Sequence, residues 1–342
     1  MAKNIVITGG AGFIGSNYAR RLISKGEKVT IFDNLSRKGA DTNLLLLQKD
    51  LGKQSFQFIN GDIRDAEKVN KIIRGKDVIV HLAAQVAVTS SVQQPKMDFE
   101  INAGGTFNVL EAARRAGNQP IVLYASTNKV YGGLEDLKIK EEEARYRLED
   151  FPYGISENRG LDFHSPYGCS KGSGDQYTHD YYRIYQVPTI VFRQSCIYGY
   201  HQFGVEDQGW VAWFLIALIK DLPLTIYGDG KQVRDILFID DLMDIYDLSI
   251  ANIDKSAGKI YNIGGGADQS LSVWCEFSHI LQNLIGKEIH VNFSGWRPGD
   301  QKVYISDIRK FQNDMQWSPK VNIEEGIDKL FVWISENQDI FA

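Results

Sequence analysis

The sequence is short of the features that define several large classes of protein. It has 3 cysteines and 6 histidines among 342 residues, and neither type recurs at the spacing of a disulfide framework or a zinc site. We therefore expect no structural disulfide and no bound metal. No apolar run is long enough to span a bilayer, and a net charge of -5 does not supply the basic surface that nucleic acid requires. A strand pattern begins almost at the N-terminus and leaves no room for a signal peptide, so we expect a cytoplasmic protein.

The N-terminal segment has the pattern of a dinucleotide-binding β-α-β unit. A β-branched run at 5–8 predicts a buried parallel strand, and a second strand ends at Asp33. Between them, Gly9, Gly12 and Gly15 would permit a tight turn, close approach of a pyrophosphate and close helix packing. The helix N-terminus would face the pyrophosphate, and Asp33 would accept the adenosine ribose hydroxyls. The alternative is a glycine-rich turn of another α/β fold.

Strand and helix patterns alternate along the rest of the chain. This alternation predicts an α/β fold with a doubly wound parallel sheet, of the Rossmann type, and a smaller mixed C-terminal lobe. We place a dinucleotide-binding domain at 1–195, with later contributions from about 234–264, and a substrate-binding lobe at 196–342. Residues 97–117 are predicted to form one long helix, and the charged stretch 135–150 an exposed excursion.

Two polar residues near predicted strand ends leave alternatives open. Asp62 could bond an adenine amino group while Ile63 packs on the ring, or Asp62 could cap the following helix. Asn102 could brace the loop after the fourth strand, or lie on a solvated helix face. The sequence does not decide between these interpretations.

The spacing of Tyr167 and Lys171 indicates acid–base chemistry. Residues four apart share one face of a helix, and a nearby ammonium and a positive cofactor ring would lower the phenol pKa toward neutrality. Tyr167 would then be a general base for an alcohol, with Ser126 and Thr127 bonding the reacting oxygen. The alternative is that Tyr167 only packs.

Together these motifs resemble the extended short-chain dehydrogenase/reductase family, specifically its nucleotide-sugar epimerases and dehydratases, over nearly the whole chain. The stretches 33–40, 126–132, 161–171 and 207–211 most resemble the CDP-sugar 2-epimerases of that family. The resemblance implies a tightly held NAD, a nucleotide-sugar-binding lobe at 196–342, and a homodimer or homotetramer paired through helices near 98–117 and 166–186.

The resemblance also assigns roles to particular residues. The catalytic set would be Thr127, Tyr167 and Lys171. Cofactor contacts are expected from Gly9, Gly12, Phe13, Ile14, Asp33, Asn34, Ser36, Arg37, Asp62, Ile63, Leu82, Ala83, Ala84, Gln85, Asn102, Tyr167 and Lys171. Substrate contacts are expected from Gln85, Asn128, His164, Gln208, Tyr227, Arg234, Arg297 and Asp300. Guanidinium groups suit a diphosphate; the alternative for Arg234 and Arg297 is a salt bridge, to Asp235 and Asp300 respectively.

The implied reaction is NAD-dependent epimerisation of a CDP-sugar at C2, through a transient 2-keto sugar. Dehydratases that the chain resembles carry Asp-Glu after the catalytic Thr, and Asn128 and Lys129 cannot do that work. A 4-epimerase of UDP-hexose type remains open, as does a non-catalytic NAD-sensing protein. A reductase using NADP is disfavoured because Asp33 would repel a 2′-phosphate, but Arg37 and Lys38 keep that alternative open.

Overall fold

The computed structural model describes residues 2–297 and 300–341. Its strands are β1 (Asn4–Thr8), β2 (Lys28–Asp33), β3 (Gln57–Asn60), β4 (Val78–His81), β5 (Ile121–Thr127), β6 (Ile139–Glu141), β7 (Tyr146–Leu148), β8 (Thr189–Gln194), β9 (Cys196–Tyr198), β10 (Thr225–Tyr227), β11 (Val233–Phe238), β12 (Lys259–Ile263), β13 (Ser270–Ser272), β14 (Asn292–Ser294) and β15 (Val303–Tyr304).

Helices connect most of these strands. They are α1 (Phe13–Ser24), α2 (Ala40–Leu51), α3 (Ala66–Ile73), α4 (Val88–Gln93), α5 (Pro95–Phe99), α6 (Gly105–Arg115), α7 (Ser165–Tyr185), α8 (Trp210–Ile219), α9 (Ile239–Ala251), α10 (Ile253–Ser256), α11 (Phe277–Ile285), α12 (Arg309–Met315) and α13 (Ile323–Glu336). A π turn occupies Glu100–Gly104, and 3-10 turns occupy Asn128–Tyr131, Ala267–Gln269 and Gln338–Ile340. None of the helices in the described ranges is long and apolar enough to cross a membrane.

Seven parallel strands form the central sheet in the order β12-β8-β5-β4-β1-β2-β3. The order reverses between β1 and β4, which is the switch point where ligands bind in open α/β sheets. The α/β prediction is confirmed. The edge strand β12 comes from residues 259–263, late in the sequence. The predicted domain boundary at 195/196 stays a prediction.

Helices cover both faces of the sheet, so its strands are apolar on both sides. Ile5 and Ile7 belong to a large buried cluster that continues into the C-terminal lobe, where Trp274 and Phe311 join it. Val6 points to the opposite face and packs with residues of α3 and α6. Because β-strand side chains alternate between faces, one short apolar run supplies both cores.

The C-terminal lobe is built on short strands. Here β11 pairs with β13, β15 and β9, and β10 pairs with β14. The stretch predicted as an exposed excursion instead contains the hairpin β6–β7, in which Tyr146 and Leu148 are buried in a third cluster. The many charged residues in 135–150 led to the prediction of an exposed segment, although these two side chains face inward.

The long helix predicted at 97–117 is also interrupted. It is divided into α5, the π turn and α6. A π turn inserts an extra residue and is found often at functional sites. Here it carries Asn102, which is almost fully buried.

Candidate active site

A cavity of about 400 Å³ opens at the carboxyl ends of the sheet strands. Its wall includes residues that follow β1, β2, β3, β4, β5 and β8. Most predicted site residues lie on it: Gly9, Gly12, Phe13, Ile14, Asp33, Asn34, Ser36, Arg37, Asp62, Ile63, Leu82, Ala83, Ala84, Thr127, Asn128, Tyr167, Lys171 and Gln208. Parallel strand ends meet at one edge, so distant stretches of sequence share this cavity.

The glycine turn after β1 has the shape that a pyrophosphate needs. Gly9 has a φ of +70°, and a Cβ there would lie 2.7 Å from the backbone nitrogen of Ala83. A Cβ on Gly15 would collide with the carbonyl of Gly9. At Gly12, by contrast, a Cβ would meet only the Gly9 oxygen, at 3.2 Å, so the backbone there is open to a ligand. The turn therefore fits a diphosphate at the N-terminus of α1.

Asp33 is fixed at the end of β2 by two backbone donors. Ala11 N–H donates to its Oδ2 at 3.0 Å, and Leu35 N–H donates to its Oδ1 at 2.8 Å. Burial raises the pKa of Asp33, and the backbone donors oppose that rise. Each oxygen retains a lone pair for a ribose hydroxyl.

Asp62 is not the helix cap that one interpretation suggested. The cap of α3 is Asp65, whose side chain accepts from Lys68 N–H. Asp62 lines the cavity, accepts a hydrogen bond from Asn34 Nδ2 at 3.2 Å and pairs with Arg64 at 2.8 Å. The Arg64 guanidinium lowers the pKa of Asp62 to about 2, so its carboxylate is ionised and able to accept from an amino group.

Asn102 braces the loop that follows β4, which decides the other open alternative. Its Oδ1 accepts from Gln85 N–H at 2.9 Å, and its Nδ2 lies 3.0 Å from the Gln85 carbonyl oxygen. Asp98 Oδ1 and Ser170 Oγ are each 3.1 Å from the same Nδ2. Neither Asn102 nor Gln85 lines the cavity, so direct contacts by these two side chains, with NAD or with substrate, remain predictions.

Tyr167 lies in the first turn of α7, where Pro166 occupies an N-terminal position. Its ring is buried, and burial raises the pKa of Tyr167 to about 12, although the Thr127 hydroxyl lowers it. The prediction of a pKa near neutrality concerned a site with NAD bound and stays a prediction; without NAD the pKa of Tyr167 is raised. The Lys171 ammonium is directed elsewhere, and desolvation dominates.

Lys171 points to the end of β5. Its Nζ donates to the Ala125 carbonyl at 2.5 Å and lies 4.3 Å from the centre of the Tyr124 ring. Burial lowers the pKa of Lys171 to about 7, while Asp175 and Asp98 oppose the shift. The amine is thus poised to gain or lose a proton near neutral pH.

Ser126 lines the cavity, and its predicted contact with the reacting oxygen remains a prediction. Its Oγ donates to Asp175 Oδ2 at 2.7 Å. Asp175 also pairs with Arg193 at 2.9 Å, and all three side chains are buried. The Thr127 hydroxyl lies beside the Tyr167 phenol.

Of the eight predicted substrate residues, two line the cavity and four belong to two clusters around Arg234 and Arg297. Asn128 and Gln208 line the cavity, and Gln208 accepts a hydrogen bond from Arg37. Arg234 pairs with Asp300 at 2.6 Å, so the alternative partner Asp235 is wrong.

Arg297 forms a second cluster near the loop that carries Gln208. It pairs with Asp207 at 3.2 Å and lies 3.9 Å from the centre of the Tyr227 ring, so the alternative partner Asp300 is wrong. His164 is exposed and precedes α7. None of Tyr227, Arg234, Arg297, Asp300 and His164 lies on the wall of the cavity; their contacts with substrate remain predictions.

The sequence reasoning missed the segment that follows β8. Residues Gln194–Ile197 line the cavity, as do Gln202 and Trp210. The signal was available, because β8 neighbours β5 and its carboxyl end must therefore open at the same edge.

Within 2–297 and 300–341, the structure places no group of three or more His, Cys, Asp or Glu where it could hold a metal ion.

Comparison with known proteins agrees with this geometry. Residues 6–330 match the family described as GDP-mannose 4,6 dehydratase. The chain therefore belongs to this family of extended short-chain dehydrogenase/reductases, which comprises nucleotide-sugar epimerases and dehydratases.

Among its relatives, the chain is similar to the CDP-paratose 2-epimerase of Salmonella typhi, with 46% identity over 97% of this chain and 99% of that protein. It is also 31% identical to the UDP-glucose 4-epimerase of Mycolicibacterium smegmatis, over 95% of this chain and 96% of that one. A crystal structure of dTDP-glucose 4,6-dehydratase from Streptomyces venezuelae, with NAD and TYD bound, superposes with a TM-score of 0.83. It has 29% identity and covers 98% of both chains.

Proposed function

We propose that this protein binds NAD and epimerises a CDP-sugar at C2. The observation that carries the chemistry is the convergence of Thr127, Tyr167 and Lys171 on the cavity that the glycine turn also lines. The choice of CDP and of C2 is supported by the 46% identity to a CDP-paratose 2-epimerase, against 31% to a UDP-glucose 4-epimerase.

The residues around the cavity fit NAD. Gly9 and Gly12 would take its pyrophosphate, Asp33 its adenosine ribose, and the loop braced by Asn102 would close the opposite side. Lys171 would bind the nicotinamide ribose. When bound, NAD supplies a group that accepts a hydride and returns it within one turnover.

Tyr167 is the proposed general base. Its phenol lies beside Thr127 and would remove the proton of the sugar hydroxyl, while Thr127 donates a hydrogen bond to the same oxygen. Because the ligand-free pKa is about 12, a positive charge beside the phenol is needed to favour tyrosinate. Returning the proton after the keto sugar has turned over completes inversion at that carbon.

In the proposed reaction, no carboxylate side chain next to Thr127 acts as an acid or a base on the sugar. Asn128 lines the cavity next to Thr127, and neither it nor Lys129 can act as the acid and base of a water elimination. We also propose that the C-terminal lobe binds the diphosphate of the substrate. Its contacts would come from Arg234, Arg297 and Asp300.

A CDP-sugar with deuterium at C2 tests this function. CDP-paratose so labelled would be incubated with the NAD-loaded protein, and the product examined by NMR. We expect inversion at C2 with the deuterium retained, because the ketone is transient and the hydride returns to the carbon it left. A parallel reaction with UDP-glucose addresses the 4-epimerase alternative. Inversion at C4 with C2 unchanged would overturn the assignment of C2.

A further inference from the structure

Lys129 is a half-buried lysine that pairs with no carboxylate in the part of the chain that the structure describes. It follows Asn128 in the 3-10 turn at the end of β5, and its N–H donates to Thr127 Oγ1 at 3.3 Å. In the described part of the chain, its Nζ has no carboxylate within ion-pairing distance; its polar contact is Gln301 Oε1 at 3.4 Å. An ammonium that is partly withdrawn from water is stabilised by pairing with a negative charge, so a bound anion would stabilise the Lys129 side chain.

The surroundings of Lys129 are positive. Arg234 is its strongest charged neighbour, Asp300 and Cys196 are the other titratable groups that face it, and Asp300 is already paired with Arg234 at 2.6 Å. Two cations and one carboxylate leave an excess positive charge. Cys196 belongs to the cavity wall, whereas Lys129 and Arg234 do not; the positive charge therefore lies behind the part of the wall that Cys196 forms.

We propose that Lys129 binds the phosphate attached to the sugar and thereby selects C2 as the reacting carbon. Its backbone N–H is bonded to Thr127 Oγ1, where the reacting hydroxyl would bind. Its Nζ contacts the side chain of Gln301, whose backbone carbonyl oxygen accepts a hydrogen bond from Arg234. At C2, only the anomeric carbon and its oxygen separate the reacting centre from phosphorus. At C4, the ring lies between them. A cation carried by the turn that directly follows Thr127 therefore suits a substrate oxidised at C2.

This inference rests on the proposed nucleotide-sugar function, but its test requires no turnover. Burial and Arg234 lower the pKa of Lys129 to about 8, so its charge is lost as the pH rises through that value. The free energy of binding to CDP should weaken over the same range. CMP lacks the second phosphate, so the ratio of the two affinities cancels those groups that act equally on both ligands and reports on that phosphate.

Calorimetric titration of the NAD-loaded protein with CDP and with CMP is the experiment. We expect Lys129→Met to lose at least tenfold in CDP affinity and less than threefold in CMP affinity, and to abolish the pH step near 8. Lys129→Arg keeps the charge, so it should retain the preference for CDP and show no step up to pH 9.5. Lys76→Met is the matched control: that buried lysine lies at the opposite end of the sheet, bonded to Asn4 and Thr30, and CDP affinity should not change.

An unchanged CDP-to-CMP ratio in Lys129→Met, or a persisting pH step, would refute the inference. Dependence of CDP binding on Lys129 without inversion of the deuterated sugar would leave the phosphate assignment standing and remove the function. Failure of the unmodified protein to bind CDP, UDP or GDP would remove both.

Discussion

Replacing Asn102 with alanine should loosen the loop after β4 and weaken the hold on NAD. Asn102 is almost fully buried, and its amide joins both backbone groups of Gln85 to Asp98 and Ser170. The loop that it braces includes Ala83 and Ala84, which line the cavity. Removing the amide leaves the N–H and carbonyl of Gln85 without these partners.

The expected magnitude follows from the hydrogen-bond count. Nδ2 has two hydrogens for three nearby acceptors, so with Oδ1 the side chain makes three full bonds. At about 1 kcal/mol net for each, Asn102→Ala should cost about 3 kcal/mol. If the whole cost falls on the NAD-bound state, the dissociation constant of NAD rises by about 100-fold.

Asn102→Asp separates the loss of donors from the loss of volume. The variant keeps the acceptor for Gln85 N–H but places a carboxylate about 3 Å from Asp98, by the wild-type distance of 3.1 Å. Two close carboxylates raise one folded-state pKa above its unfolded value, so the free energy of unfolding falls as pH rises through that pKa. The deficit of Asn102→Asp relative to wild type should therefore shrink between pH 8 and pH 5.

The assays are NAD titration of NAD-stripped protein and denaturant unfolding. Asn70→Ala provides the control, since Asn70 is exposed on α3 and should change stability by less than about 0.5 kcal/mol. Asn102→Ala with wild-type NAD affinity and wild-type unfolding would show that the bracing contacts do not hold the loop.

Two further predictions concern Tyr167 and assembly. Tyr167→Phe should reduce turnover by about 10²- to 10⁴-fold with NAD content unchanged. Because the pKa of Tyr167 is raised to about 12 without cofactor, its tyrosinate absorbance, taken as the difference from Tyr167→Phe, should appear at lower pH once NAD is loaded; an identical titration with and without NAD would contradict the electrostatic argument. For assembly, Phe107 on α6 and Tyr177 on α7 are in edge-to-face contact and 45% and 53% exposed. The protein should sediment as a dimer or tetramer that Tyr177→Asp dissociates, with Val332→Asp, a 48% exposed position on α13, as control. A monomeric wild-type protein would remove the predicted interface.

The cofactor half of the site could be predicted because its determinants are local. Gly9 needs a positive φ, and Gly15 has no room for a side chain. Both requirements are visible in the sequence as glycines at a fixed spacing. Parallel strands then bring Asp33 and Asp62 to the same edge without further information. Asn102 differs, because the direction of its side chain depends on a π turn that has no local signature in the sequence.

The salt-bridge partner of Arg234 could have been narrowed from local structure, whereas the partner of Arg297 could not. Arg234 and Asp235 are neighbours on β11, so their side chains point to opposite faces. Strand alternation alone excluded that pair, and Asp235 in fact accepts from Ser195 Oγ at 2.5 Å. Arg297 pairs with Asp207, a residue 90 positions away, and only the tertiary fold brings those loops together.

The predicted lowering of the Tyr167 pKa rested on two positive charges, the Lys171 ammonium and the bound cofactor ring, and the structure bears on the first of them. Spacing puts Lys171 on the same helix face, but the ammonium bonds the Ala125 carbonyl, and burial of the phenol then dominates. A base that is protonated in the empty site would become active only when a positive charge occupies the cavity, so removal of the sugar proton would be tied to the presence of a group able to accept the hydride. Lys171, with a pKa near 7, would adjust that coupling through its own charge.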